Sequence, residues 1–173
     1  MKKSKSIVLI LVCTICLNPA LTNGETAVDE SYPKTVIIVR HAEKTAEPKN
    51  DPVLNAEGEA RAQRLAGMLA KTDVTNVYAS QFQRTQLTVK PLADMLGLKV
   101  EVVGAKDYAS LTQRILMQDG HVAVVAAHSN TMHQIVKALG GPEWPEVSEA
   151  DYENIFVVTV SEPGKAVAIN LRF

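Results

Sequence analysis

Cysteine is all but missing from this chain of 173 residues: there are two, Cys13 and Cys16, both within the first two dozen positions. If that segment is removed, the remaining protein has no thiol. Disulfides, a Cys-ligated zinc and a cysteine nucleophile are then excluded together. The chain also lacks any run of the roughly 20 apolar residues needed to cross a bilayer. An uncharged run of 11 residues, residues 7–17, follows Lys2, Lys3 and Lys5. Asn18-Pro19-Ala20 breaks it, and small or polar residues lead to Gly24. This is the layout of a secretory signal peptide over residues 1–24, with a retained anchor as the alternative. A lipoprotein signal fits poorly, because Val12 and Ile15 precede the two cysteines where a small residue is wanted. An excess of positive charge is missing too. Without residues 1–24 the chain keeps 149 residues, with 15 basic and 19 acidic side chains and a net charge of −4. Nucleic acid and anionic membrane surfaces are poor partners for that charge. The expectation is an exported, periplasmic or secreted protein whose stability rests on its core, with no stable membrane insertion once the signal is gone. Nothing in the sequence reports an oligomeric state.

There is no internal repeat and no low-complexity segment. Residues 25–33 are polar, end in Pro33 and read as a tail, leaving 34–173 as one domain of ordinary size. Within it strand and helix patterns alternate. The continuous apolar runs of residues 34–40 and 122–127 read as strands buried on both faces. Residues 74–79 and 98–103 read as two further strands, and 155–160 with 166–171 as a closing pair around Glu162-Pro163-Gly164. Helices are expected after the N-cap Asn55, over 83–96 with Gly97 as its stop and Pro91 as a bend, over 107–118, and over 131–139. The pattern predicts an α/β fold in three layers, a mainly parallel central sheet with helices on both faces. Ligands of such sheets bind beyond the carboxyl ends of the strands.

Those ends carry one kind of chemistry. Arg40 and His41 follow the first strand, Ser80 the second with Arg84 close behind, and His128, Ser129 and Asn130 follow the strand ending at Ala127. Asp107 follows the third. Two guanidiniums and two imidazoles meeting in one crevice suit a phosphate dianion, since each guanidinium can pair two oxygens. One imidazole can attack phosphorus while the other donates to an oxygen gaining charge. No metal or other cofactor is called for, because the two arginines supply the charge. A zinc site from His41, His128 and Glu43 is possible by residue type, but the neighbouring arginines would repel the cation.

The motifs resemble those of the histidine phosphatase (phosphoglycerate mutase-like) superfamily. Val39-Arg40-His41-Ala42-Glu43-Lys44 is similar to its "RHG" signature, and Leu54-Asn55-Ala56-Glu57-Gly58 to its helix start "LTxxG". The segment from Ser80 to Thr88 is similar to "SxLxRAxxT", and Ala127-His128-Ser129 to "GHS". Order and spacing cover nearly the whole chain from Val36 to the last strand. The Arg-His-Ala-Glu-Lys form resembles a short bacterial branch that includes phosphohistidine phosphatases. The resemblance implies a phosphoglycerate mutase-like fold, His41 as the phosphorylated nucleophile, and Arg40, Arg84 and His128 as the rest of the phosphate pocket. It implies a phosphatase acting on a phosphorylated small molecule or a phosphoryl-protein. The alternatives are a phosphohistidine phosphatase and a non-catalytic phosphate-binding module. Ala42 and Ala127 stand where the signatures have glycine, and both are small enough to keep the pocket. Asp107 is a candidate general acid or simply a helix cap. Glu43 and Lys44 either pair with each other or line the pocket mouth. His121 and His133 read as surface or internally satisfied histidines, and Trp144 as a loop anchor. Substrate choice falls to the loops 44–53 and 141–152.

Overall fold

The computed structural model describes residues 33–173, so the expected signal segment and all of the tail but Pro33 lie outside the described residues. Ten elements follow in order: β1 (Lys34–Arg40), α1 (Ala56–Leu69), β2 (Asn76–Ala79), α2 (Gln83–Leu96), β3 (Val100–Val102), α3 (Tyr108–Met117), β4 (Val122–Ala127), α4 (Ser129–Ala138), β5 (Asn154–Glu162) and β6 (Lys165–Arg172). They form one six-stranded sheet in the order β3-β2-β4-β1-β5-β6. The first four strands in that order run parallel, and β5 and β6 run antiparallel as a hairpin.

The apolar runs are continuous because both faces of the sheet are covered. Along β1, Val36 and Ile38 face one way and join Leu111, Ile115, Met132 and Ile135 of α3 and α4. Ile37 and Val39 face the other way and join Leu65, Leu69, Val89 and Leu92 of α1 and α2. β4 divides likewise, with Val125 and Ala127 toward α3 and α4 and Val124 and Ala126 toward α1 and α2. The three-layer α/β expectation holds. Among the described residues no helix is long and apolar enough to cross a membrane.

Local chemistry sets the helix ends. Asn55 caps α1, its Oδ1 accepting the Gly58 N–H at 2.9 Å, with Glu57 and Glu59 in the positive first turn. α2 ends at Gly97 in the left-handed conformation, with φ of 67°. Several expected boundaries move, β2 beginning at Asn76 rather than 74 and β5 ending at Glu162 rather than 160. β3 is shorter than the expected 98–103, and α4 begins at Ser129 rather than 131, which makes His128 its N-cap. β1 and β4 are hydrogen-bonded neighbours, yet β1 leads into α1 on one face and β4 into α4 on the other. Their carboxyl ends therefore flank the point where the connections diverge.

Candidate active site

At that point His41 extends the β1–β4 ladder, its N–H donating to the Ala127 carbonyl at 2.9 Å. His41 and His128 meet edge to face with ring centroids 5.3 Å apart. The His41 Nδ1 lies 2.9 Å from the Ala42 carbonyl. A carbonyl only accepts, so Nδ1 carries the proton and the neutral ring keeps its lone pair on Nε2. Burial pulls the His41 pKa down from 6.5 to about 3, helped by His128, Arg40 and Arg84 and opposed by the bond to Ala42. His128 falls to about 4, through burial first and then the Arg84 and Arg40 charges. Both rings are neutral at pH 7.

Each arginine is pinned from one side. Arg40 is 5% exposed and its guanidinium lies 3.9 Å from the centre of the Tyr152 ring. Its Nη1 donates to the carbonyls of Ser148, Glu149 and Asp151 at 3.3, 2.5 and 3.2 Å. The Arg84 guanidinium stacks 4.3 Å from the Phe82 ring centre, with Nη1 4.0 Å from Asp51 and Nη2 3.5 Å from His128 Nδ1. The Nε of each arginine is buried without a partner. Buried donors of a cation lacking an acceptor suit an anionic ligand. Burial lowers both guanidinium pKa values, although arginine stays charged throughout the working range.

The surrounding shell is built from side-chain hydroxyls. His128 Nε2 lies 3.0 Å from Ser80 Oγ, which lies 2.8 Å from Thr85 Oγ1. The Ala42 N–H donates to Thr88 Oγ1 at 2.8 Å, tying the residue after His41 to α2. The Asn55 N–H donates to the Glu43 carbonyl at 3.0 Å, docking the start of α1 on the same segment.

The four pocket residues expected from the sequence come together. Asp107 does not join them. It is exposed, caps α3 through the Ser110 N–H at 3.1 Å, and that bond holds its carboxyl below the ordinary range. Of the two roles open to it, the capping one is what the structure displays. Of the two alternatives for Glu43 and Lys44, a mutual pair is not what forms. Glu43 is buried and pairs with Arg61, whose Nε donates to both carboxylate oxygens at 2.9 and 3.0 Å, while Lys44 is exposed. An internal guanidinium satisfies a buried carboxylate better than the adjacent lysine, whose side chain is exposed. Trp144 packs edge to face on Phe156 at 5.2 Å, as a loop anchor would. His121 is exposed beside the Pro33 carbonyl, and the His133 ring contacts Gln134.

Three residues escaped the sequence reading. Phe82 was within reach, being two positions before Arg84 in a recognised motif. Tyr152 and Asp51 sit in loops without a motif, and only the folded chain brings them to the arginines.

The comparisons with known proteins agree with this geometry. The model of the histidine phosphatase superfamily (branch 1) matches residues 36–105. Among curated proteins no sequence match is found. Solved structures with the same fold include the protein histidine phosphatase SixA complexed with tungstate, at 21% identity and a TM-score of 0.66, covering 80% of this chain and 96% of that one. Another is an alpha-ribazole-5'-P phosphatase, so far assigned only provisionally, from Escherichia coli K-12, at 13% identity and 0.65, covering 82% and 97%. A mycobacterial glucosyl-3-phosphoglycerate phosphatase is similar at 13% and 0.57, covering 82% and 99%. The matched span holds Arg40, His41 and Arg84, and the sheet brings His128 to them from outside it. Over residues 36–105 the chain is thus similar to the histidine phosphatase superfamily (branch 1), and its fold is the one these solved structures share.

Proposed function

We propose that the protein hydrolyses a phosphate monoester, on a small molecule or a protein, through a phosphohistidine on His41. The observation that carries this reading is the His41 tautomer: Nδ1 donates to the Ala42 carbonyl, so Nε2 holds a lone pair beside two guanidiniums with unpartnered Nε–H groups. Nε2 forms a bond to phosphorus, the bond to the leaving oxygen breaks, and that oxygen takes a proton. Water then attacks the phosphohistidine, releasing inorganic phosphate and regenerating His41. Arg40, Arg84 and His128 hold the phosphoryl oxygens as charge grows on them. The basic start and short apolar run of residues 1–17 support an exported, periplasmic or secreted location.

Turnover of an activated aryl phosphate, abolished in His41→Ala, is the expected result. An acid-labile, base-stable phosphoryl label should disappear in the same variant. Phosphate binding without turnover in the wild type would instead identify a non-catalytic binding module. One observation favours a narrower reading. Among the described residues no carboxylate is hydrogen-bonded to either pocket histidine, so a leaving group of low basicity, such as the imidazole of phosphohistidine, suits the site. Export speaks against it. Faster release from a phosphohistidine peptide than from alkyl and aryl esters would establish that substrate class.

A further inference from the structure

Thr85 follows Arg84 in the first turn of α2 and is fully buried. Its Oγ1 lies 2.8 Å from the Phe82 carbonyl, 3.1 Å from the Ser80 carbonyl and 2.8 Å from Ser80 Oγ. A hydroxyl has one proton, and carbonyl oxygens can only accept. Assigning the Thr85 proton to one of these carbonyls makes Thr85 the acceptor toward Ser80. That commits the single Ser80 proton to Thr85, leaving Ser80 Oγ to accept from His128 Nε2 at 3.0 Å. The other side of the ring gives the same answer independently. Arg84 Nη2, which has no acceptor character, lies 3.5 Å from His128 Nδ1. Neutral His128 thus carries its proton on Nε2, away from the arginines.

We propose that Thr85, acting through Ser80, locks His128 in the Nε2–H tautomer, so that binding of a phosphate dianion draws a proton onto His128 Nδ1. The proposal rests on the phosphate-pocket reading above. The oxygens of a dianion are acceptors, and a bare Nδ1 would set lone pair against lone pair. Swapping the tautomer would turn the Ser80 proton back to Nε2 and break its buried bond to Thr85. Taking a proton from solvent onto Nδ1 keeps the hydroxyl chain and makes the ring a cation with two donors. The groups facing His128 decide when that happens. Arg84 comes from α2, Arg40 and His41 from the end of β1, and the Phe82 ring stands 5.4 Å away. Asp51 reaches it only by way of Arg84. In the pocket without an anion these groups and burial hold His128 neutral; a dianion reverses the local field. Thr85 stands where the "SxLxRAxxT" signature has alanine, so the lock belongs to this chain's own residue.

Tungstate is the probe, a dianion that carries no proton near neutral pH. Isothermal titration in buffers of different ionisation heat counts protons taken up on binding, and nitrogen NMR of labelled histidine reads the His128 ring. Wild-type protein should gain a proton on binding, with His128 passing from Nε2–H to doubly protonated. Thr85→Ala and the isosteric Thr85→Val should bind tungstate with most of that uptake lost, and Thr85→Ser should restore it. Wild-type binding with His128 still neutral overturns the proposal without any variant being needed, as does unchanged uptake in Thr85→Ala. Failure of wild-type protein to bind tungstate at all sinks the phosphate-pocket reading, and this proposal with it.

Discussion

Arg40 divides its guanidinium between the protein and the pocket. One nitrogen, Nη1, gathers three carbonyls of residues 148–151, and the flat face rests on Tyr152. What remains for a ligand is Nη2 and the unpartnered Nε. A lysine would keep the charge and lose both the fork and the stacking. Arg40→Lys should therefore lower kcat/KM by about 10²-fold, the scale of losing one positioned donor. It should also speed amide exchange in residues 148–152, whose anchor it removes. Normal exchange there would show that Arg40 serves the phosphate alone. This double duty was not legible in the sequence. Arg40, His41, Arg84 and His128 follow apolar runs and announce themselves as strand-end polar groups. The partners of Arg40 lie more than 100 positions away in a loop without a pattern, and Arg61 finds Glu43 across 18 positions.

Elements were legible where packing and local chemistry agree. β1, β4 and α2 match their expected limits because continuous burial or a glycine stop marks both ends. β3 shortens because it is an edge strand with one partner, and α4 gains its first two residues because Ser129 and Asn130 carry no apolar signal. α1 shows how an element far from the chemistry shapes it. Gly58 sits in its first turn against the backbone of Glu43, and a Cβ there would lie 2.1 Å from the Glu43 carbonyl oxygen. Backbone cannot swing aside as a side chain can. Gly58→Ala should cost about 1–3 kcal/mol by overpacking, and should lower kcat because Glu43 follows His41 by two positions. Gly67, exposed in the same helix, has open space around a Cβ. Gly67→Ala should instead stabilise by roughly 0.5–1 kcal/mol and leave activity alone. Urea unfolding with parallel rate measurements separates the two; equal effects at both positions would mean that helix propensity, not contact with Glu43, governs α1.

At the scale of the whole molecule, the price of gathering four cationic or basic side chains under a sheet is acid sensitivity. His41 and His128 have pKa values of about 3 and 4 in the fold against 6.5 for the ordinary ring, because burial and the neighbouring arginines resist a second positive charge. The unfolded chain has no such resistance and protonates both rings near 6.5. A lowered folded pKa means that stability is whole above the unfolded value and drains as pH falls toward the folded one. Between about pH 6 and 4 the unfolded state binds up to two more protons than the fold, so unfolding free energy should fall by about 1.4 kcal/mol per pH unit for each ring. Glu43 extends the trend to lower pH. Burial pushes its carboxyl up, but the Arg61 hydrogen bonds and charge outweigh burial and hold it below 4.5, so its contribution drains only as pH falls below that value. The two sources separate by substitution. The double variant His41→Gln, His128→Gln should flatten the stability profile between about pH 6 and 4 while keeping the loss below pH 4.5, and Glu43→Gln should do the reverse at lower overall stability. A double histidine variant as steep as the wild type through that window would show that the rings are not held neutral by the fold.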